Sequence, residues 1–351
     1  MDWYIESMDE MRRLQKVGYS TLSLSIPSDF AKDLGLRAGD NMLVREEADG
    51  TLRLIPAVSA KRVSRATIRT DQLDGEDLIP KLIIGCYALG YDTIEVVGKD
   101  GLDESTVDLV VKTMRRLRGL EVVESQPNKV VAQSFIDPTK FPVDSLIKRL
   151  QILVSRSLGN VIEALEKGTT GRLNEVRRVQ DEVDELYWLI VRQLLVALNR
   201  REIAGEIGIE SPLHASGDRV TAKTLEQIGS VIMDLAEEIV RQKGKGARLE
   251  ERVLVSIEKL ARKTQESFNT TVESLLTPDI KLIERSMGLV NGTLEMESEI
   301  THELLKSGEY AYPRIIVSYF GMLARYCNII IEIASHRFLR KSSRVATVQH
   351  Q

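Results

Sequence analysis

The sequence predicts a multidomain α+β chain, because its hydrophobic pattern changes twice and turn residues mark each change. Residues 12–56 form short runs that alternate apolar and polar side chains, as β-strands do. Residues 61–137 alternate strand-like and helical segments, and the chain is helical from about residue 144. We therefore expect domains at 1–58, 59–143 and 144–341, followed by a tail at 342–351.

The composition favours a soluble protein with two or three domains and little catalytic chemistry. The chain has 351 residues, of which 43% are hydrophobic and 28% charged, with a net charge of -4. Two cysteines and four histidines, which share no spacing such as HxxxH, supply neither a disulfide framework nor a zinc quartet. Since no apolar run approaches the roughly 18 residues of a membrane span, we expect a cytoplasmic protein without membrane insertion.

The first region is predicted to be a small β module. The runs TLSLSI and NMLVRE read as strands, and Pro27-Ser28 opens a short helix that Gly35 ends in a left-handed cap. Turns are expected at residues 38–40 and 48–50, where glycine takes a positive φ. About 45 residues give too small a core to fold alone, so we expect an obligate dimer.

The middle region reads as a small α/β module. Its predicted strands are RVSRATIRT, DTIEVVG, LEVVES and KVVAQSF, and its predicted helices are DLIPKLIIGCYALG and ESTVDLVVKTMRRLRG. Pro138 and Pro142 punctuate its end.

Six helices are predicted in the third region. The first two carry leucine and valine at steps of three and four, and the others are expected near 219–243, 247–275, 278–306 and 312–340. The pattern around Val183 matches that around Ile300, which suggests two sets of three helices.

The first region resembles an AbrB/SpoVT-type DNA-binding domain. The matching segment is RRLQKVGYSTLSLSIPSDFAKDLGLRAGDNMLVREEADGTLRLIP, with SIP before the helix, LGLRAGD after it and DGTLRLIP at the end. The resemblance implies an interlaced, swapped-hairpin β dimer. Such domains bind DNA or serve only for dimerisation.

The helical region resembles PhoU, the phosphate-uptake regulators built from two three-helix repeats. The resemblance lies in VRRVQDEVDELYWLIVRQL on the second helix and KTLEQIGSVIMDLAEEI on the third. An AbrB-like domain followed by a PhoU-like domain is an arrangement found in archaeal regulators.

The candidate DNA-binding residues are the basic side chains of the first region. With the two acids of the same segment they give residues 12–37 a local charge of +3, and a two-fold dimer would present them twice to duplex phosphates. They are Arg12, Arg13, Lys16, Lys32 and Arg37. The whole 1–60 segment sums to -3, which is poor for a dedicated DNA binder and keeps a dimerisation role open.

The weak candidates for a metal site are Asp181, Asp184 and Glu226. The PhoU resemblance implies an acid-x-x-x-Asp motif and an acidic pair that bind metal together, but this chain departs from it repeatedly. The departures are Gln180, Ser230, Thr301, Ala324 and Asn328. The alternative is a solvated helix face paired with Arg177 and Arg178, so we expect no cofactor, with a divalent metal as the less favoured reading.

We therefore predict a homodimeric, DNA-binding regulator of phosphate uptake that is not an enzyme. Its predicted partners are double-stranded DNA, a second copy, and a phosphate transporter or its signalling proteins. The main alternative is an adaptor that does not bind DNA and acts on the transporter through the helical region. A metal-dependent enzyme or store is disfavoured by the broken carboxylate pattern.

Overall fold

The computed structural model describes residues 10–46, 50–56, 64–247, 249–307, 312–340 and 343–347. The chain divides into two compact units, residues 1–62 and residues 63–351. The finer division at residues 58 and 143 stays a prediction.

The first unit consists of two β-hairpins and one short helix. Their bounds are β1 Gln15–Val17, β2 Thr21–Ser23, α1 Ser28–Asp33, β3 Met42–Glu46 and β4 Leu52–Pro56. Strand β1 pairs with β2, and β3 with β4, in both cases antiparallel. The small β hairpins are as predicted, but TLSLSI is a strand only over its first three residues. Strand β1 was not predicted; it pairs with β2 because Gly18 at φ 68° makes the turn between them tight.

Helix α1 ends where the sequence predicts. Gly35 has φ 66°, and the backbone N–H of Leu36 donates to the carbonyl oxygen of Ala31 at 2.8 Å. Gly39 and Gly50 also have positive φ, as expected for their turns. Ala48 and Asp49, the other residues of the second predicted turn, lie outside the described residues.

The middle region is an α/β layer with the predicted element order. Its bounds are β5 Arg65–Arg69, α2 Ile79–Ala88, β6 Thr93–Val97, α3 Glu104–Arg115, β7 Leu120–Gln126 and β8 Lys129–Ser134. The sheet order is β5-β6-β8-β7, with β5 parallel to β6 and the other neighbours antiparallel. The two helices and the sheet share a core in which Ile83, Tyr87, Ile94 and Met114 are fully buried.

The third region contains six long helices within the described residues, as predicted. The helices are α4 Val143–Glu166, α5 Leu173–Asn199, α6 Arg201–Ala204, α7 Pro212–Gly244, α8 Glu251–Leu276, α9 Ile280–Ser307 and α10 Tyr312–Leu339, of which α6 is a single turn. Helices α4, α5 and α7 pack on one another, and so do α8, α9 and α10. The α4–α8 and α7–α10 contacts join the two sets.

The third long helix begins earlier than the predicted residue 219. Ser211 is its N-cap, since its hydroxyl accepts the backbone N–H of His214 at 3.2 Å, and Pro212 takes the first turn. A helix start at residue 219 leaves this Ser-Pro pair in a loop, although Ser-Pro is a common helix start.

A buried arginine attaches the middle region to α5. Arg192 is 4% exposed, and its Nη1 donates to the carbonyl oxygens of Tyr87 at 2.6 Å and Tyr91 at 3.2 Å. Its Nη2 donates to the hydroxyl of Ser134 at 3.1 Å, and its guanidinium lies over the Tyr87 ring. The Arg192 guanidinium therefore lies at the C-terminal end of α2, where the partial negative charge of the helix dipole favours a cation.

Helix α10 is the one helix of the described part that is long and apolar enough to cross a membrane by length and composition. Half of its most apolar window is buried, and the helix packs on α7, α8 and α9. The core helix of a bundle has these same properties, so the feature is weak evidence for a span. It nevertheless corrects the expectation that no segment approaches the apolar length of one.

Candidate nucleic-acid interface and candidate metal ligands

The five predicted DNA-binding residues lie on two segments of the first unit, and all are exposed. Arg12 and Arg13 lead into β1, which contains Lys16, whereas Lys32 is on α1 and Arg37 follows it. The turn after α1 holds the backbone at Arg37, whose N–H donates to the carboxylate of Asp40 at 2.7 Å. The LGLRAGD segment therefore fixes the backbone position of Arg37 in the turn that follows α1.

The basic side chains differ in how available they are for phosphate. Arg12 pairs with Glu10 at 2.5 Å, and Lys32 with Asp29 at 3.7 Å. Within residues 10–46 and 50–56, Arg13 and Lys16 form no ion pair with an acid. Among these described residues, a phosphate therefore competes with an acid at Arg12 and Lys32 but with none at Arg13 or Lys16.

The first unit exposes its apolar side chains. None of its described residues is buried, and the cross-strand pair Val44 and Leu54 is 56% and 39% exposed. Leu22, Leu43 and Leu52 are also more than half exposed. Large apolar side chains exposed in this number are typical of a domain that another protein surface covers.

The predicted acids of α5 are paired with arginines of the middle region. Arg116 Nη2 donates to Asp181 Oδ1 at 2.9 Å and lies 3.8 Å from Asp184 Oδ2, and Arg118 Nε donates to Glu185 Oε2 at 3.2 Å. The prediction that Arg177 and Arg178 pair with these acids is wrong for Arg177. Its side chain lies one turn before the cluster and forms an ion pair with Glu237 of α7 instead.

Hydrogen-bond donors also occupy oxygens of Asp184 and Glu226. Gln180 Nε2 donates to Asp184 Oδ1 at 2.8 Å and to the Ser230 hydroxyl at 3.3 Å. Glu226 accepts from Lys223 and from Gln227. Burial, countered by the Gln180 hydrogen bond, raises the pKa of Asp184, which disfavours the charged form that a cation needs.

These residues do not fit the metal site that the PhoU resemblance implies. Asp181, Asp184 and Glu226 belong to no group of ligand atoms that converges within 4.8 Å in the described part of the chain. In the second set of helices, Glu297 pairs with Arg325 at 3.1 Å, while Ala324 is fully buried. Gln180 and Arg116 place hydrogen-bond donors against Asp184 and Asp181, where a cation would need free carboxylate oxygens.

A different cluster, which the sequence analysis missed, lies where α4, α7 and α10 meet. It contains Asp144, His214 and Asp218, with the buried Arg337 between the two carboxylates. The signal in the sequence is His214-x-x-x-Asp218, one helical turn apart, whereas only His–His spacings were tested. Burial, with the charges of Arg337 and Arg340, lowers the pKa of His214 to about 4, and burial raises that of Asp218 to about 6.

Comparison with protein families assigns both ends of the chain. Residues 15–62 match the family described as antidote-toxin recognition MazE, bacterial antitoxin, and residues 147–239 match the PhoU domain. The chain is thus similar to a MazE-type domain near its N-terminal end and to a PhoU domain in the first three long helices. No curated protein matches the chain.

Both predicted resemblances are confirmed by these matches. The MazE-type match covers the two hairpins and α1, and the PhoU match covers most of α4, α5 and α7. Both matched domain families are regulatory and non-catalytic. The matches leave the middle module and the helices from α8 onward without a named family.

Proposed function

We propose that this chain is a dimeric, DNA-binding regulator of phosphate uptake. Two MazE-type domains would form one duplex-binding module, and the PhoU domain would make the protein contacts that link it to phosphate status. The proposal places the protein in the cytoplasm, with a phosphate transporter or its signalling proteins as the partner of the PhoU domain.

The observation that carries the proposal is the absence of buried residues in the described part of the first unit. Val44, Leu54 and their apolar neighbours lose contact with water only when another surface covers them. A second copy of the same hairpins is the simplest such surface, because a two-fold interface pairs like with like.

Dimerisation would also bring together enough basic side chains to bind a duplex. Two copies would present ten basic side chains in symmetry-related pairs, enough to contact several duplex phosphates. Arg13 and Lys16 are the strongest candidates because no described acid of this unit pairs with them. Arg37 is the next, because the turn after α1 fixes its backbone.

The alternative adaptor function also has an observation in its favour. The segment 1–60 has a net charge of -3, so its acids repel a polyanion wherever they lie near the interface. In that alternative the MazE-type domain only dimerises. The adaptor and the DNA-binding regulator differ in one measurable property, which is affinity for duplex DNA.

The test is equilibrium binding of the full-length protein to a labelled duplex from a promoter of a phosphate-uptake gene, at about 50 mM salt. We expect the Arg13→Ala/Lys16→Ala variant to bind at least about tenfold more weakly than the unmodified protein, because each dimer loses four phosphate contacts. Arg12→Ala/Arg13→Ala is expected to lose less, since Glu10 already pairs with Arg12.

A matched control removes two exposed arginines from the helical region. Arg252→Ala/Arg285→Ala changes the net charge by the same amount and should leave the affinity unchanged. No measurable binding of the unmodified protein at 50 mM salt would reject the DNA-binding function and leave the adaptor. If Arg13→Ala/Lys16→Ala and Arg252→Ala/Arg285→Ala lose the same affinity for the duplex, only the total charge of the protein matters, and the proposed contacts of Arg13 and Lys16 are rejected.

A further inference from the structure

The cluster at the α4–α7–α10 junction contains buried polar atoms without partners. The side chains of Asp218 and His214 are 1% and 6% exposed, and Asp144 lies at the more open edge. Asp218 Oδ2 and His214 Nε2 have no hydrogen-bond partner among the described residues. Because buried polar atoms are rarely left unpaired in folded proteins, these two atoms need an explanation.

The distance between the two atoms fits a shared ion better than a hydrogen bond. His214 Nε2 lies 3.4 Å from Asp218 Oδ2, beyond the range of about 2.7–3.2 Å for an N–H···O bond. In a tetrahedral zinc site with bonds of about 2.0–2.2 Å, neighbouring ligand atoms are about 3.3–3.5 Å apart. The ligand atoms of Asp144, His214 and Asp218 all lie within 4.8 Å of one another.

Arg337 orients both carboxylates and leaves one oxygen of each available. Its Nη2 donates to Asp218 Oδ1 at 2.5 Å and to Asp144 Oδ1 at 2.8 Å. Its Nη1 donates to the carbonyl oxygen of Leu275, which fixes the guanidinium against α8. Outer hydrogen bonds of this kind commonly hold metal-binding carboxylates in place.

Space for the remaining coordination position is present beside the cluster. A cavity of about 400 Å³ opens next to His214 and Arg337, with Leu276, Pro278 and Phe338 in its wall. A water molecule in this cavity would complete a four-coordinate site with three protein ligands.

Ion binding requires a change of tautomer at His214. Its Nδ1 accepts the backbone N–H of Glu210 at 3.3 Å, so the proton of the neutral ring is on Nε2. Ion binding moves that proton to Nδ1, and the Glu210 N–H then turns to water. Glu210 is exposed, so solvent can replace the lost acceptor.

We propose that Asp144, His214 and Asp218 bind one divalent transition-metal ion of the zinc class. One nitrogen and two carboxylate oxygens suit this class better than Mg²⁺ or Ca²⁺, which prefer all-oxygen sites. The ion joins the first turns of α4 and α7, and Arg337 links it to α10. This site is separate from the acids of α5, which the middle region neutralises.

The experiment titrates Co²⁺, a spectroscopic substitute for Zn²⁺, into the full-length protein after chelator treatment. We expect one Co²⁺ per chain with the visible absorption bands of a four-coordinate ion, and displacement of these bands by one equivalent of Zn²⁺. Zn²⁺ should also raise the melting temperature, because an ion that binds only the folded state stabilises it.

Single substitutions test which residues bind the ion. His214→Gln and Asp218→Asn should bind Co²⁺ at least about 100-fold more weakly. Asp144→Asn changes the most exposed ligand, so it keeps the test valid if the buried variants fold poorly. Two control variants, His302→Gln and Asp181→Asn, should bind normally, because these side chains are exposed and lie outside the cluster.

Either of two results would overturn the proposal. The first is less than about 0.1 Co²⁺ per chain at a tenfold excess of the ion. The second is Co²⁺ binding that is unchanged in Asp144→Asn and His214→Gln but lost in Asp181→Asn. That result would place the ion at the acids of α5.

Discussion

The Arg337→Ala variant is expected to lose about 3–5 kcal/mol of unfolding free energy in metal-free protein, because it leaves a buried charge without its partner. Asp218, whose side chain is 1% exposed, would lose its nearest cation and would have to stay charged without a partner or take up a proton. The Leu275 carbonyl oxygen would lose its donor from the same side chain. Chemical denaturation followed by circular dichroism measures the loss.

The control for this prediction is Arg340→Ala, three residues later. Arg340 is more exposed and pairs with Glu210 at 3.4 Å, so its removal should cost less than about 1 kcal/mol. The double variant Arg337→Ala/Asp218→Ala should lose less than the two single losses combined, because it removes both charges of one pair. An Arg337→Ala variant within 1 kcal/mol of the unmodified protein would show that the cluster does not hold the helices together.

Replacing Val44 with aspartate is expected to convert the proposed dimer to a monomer. The change removes about 1.5–3 kcal/mol of apolar burial and places a charge in the interface, and two-fold symmetry applies it twice. The dissociation constant should therefore rise by about 1,000-fold or more, since 1.4 kcal/mol corresponds to tenfold. Sedimentation velocity across a concentration series measures it.

Two further variants make that result specific. Leu54→Asp changes the residue opposite Val44 on the neighbouring strand and should have a similar effect. Leu213→Asp places the same charge on an 82% exposed leucine of the helical unit and should leave the association state unchanged. A Val44→Asp protein that remains dimeric would move the interface away from the hairpins.

The parts of the fold that follow local rules were predictable from the sequence. Gly35 ends α1 because only glycine adopts its positive φ without strain, and the steps of three and four in α4 and α5 predicted those helices. Alternating strands and helices also indicated the middle α/β layer. Strand β1 was missed because three residues are too short for a periodic signal.

The functional contacts were less predictable because they join distant parts of the chain. Arg116 meets Asp181 over 65 residues, and Arg337 meets Asp144 over 193 residues. A charged residue in a helical pattern looks the same whether it faces water or a buried acid. Arg192 shows this most clearly, since it interrupts an apolar run and is buried against backbone oxygens.

The central claim is that two symmetry-related sets of basic side chains contact DNA phosphates. The salt dependence of duplex binding tests this claim most directly. The logarithm of the binding constant should fall linearly with the logarithm of salt concentration, with a slope of about -0.9 per phosphate contact. In Arg13→Ala/Lys16→Ala the magnitude of the slope should be smaller by about 3.6, because each dimer loses four contacts. A slope equal to that of Arg252→Ala/Arg285→Ala, or no binding at low salt, would contradict the account.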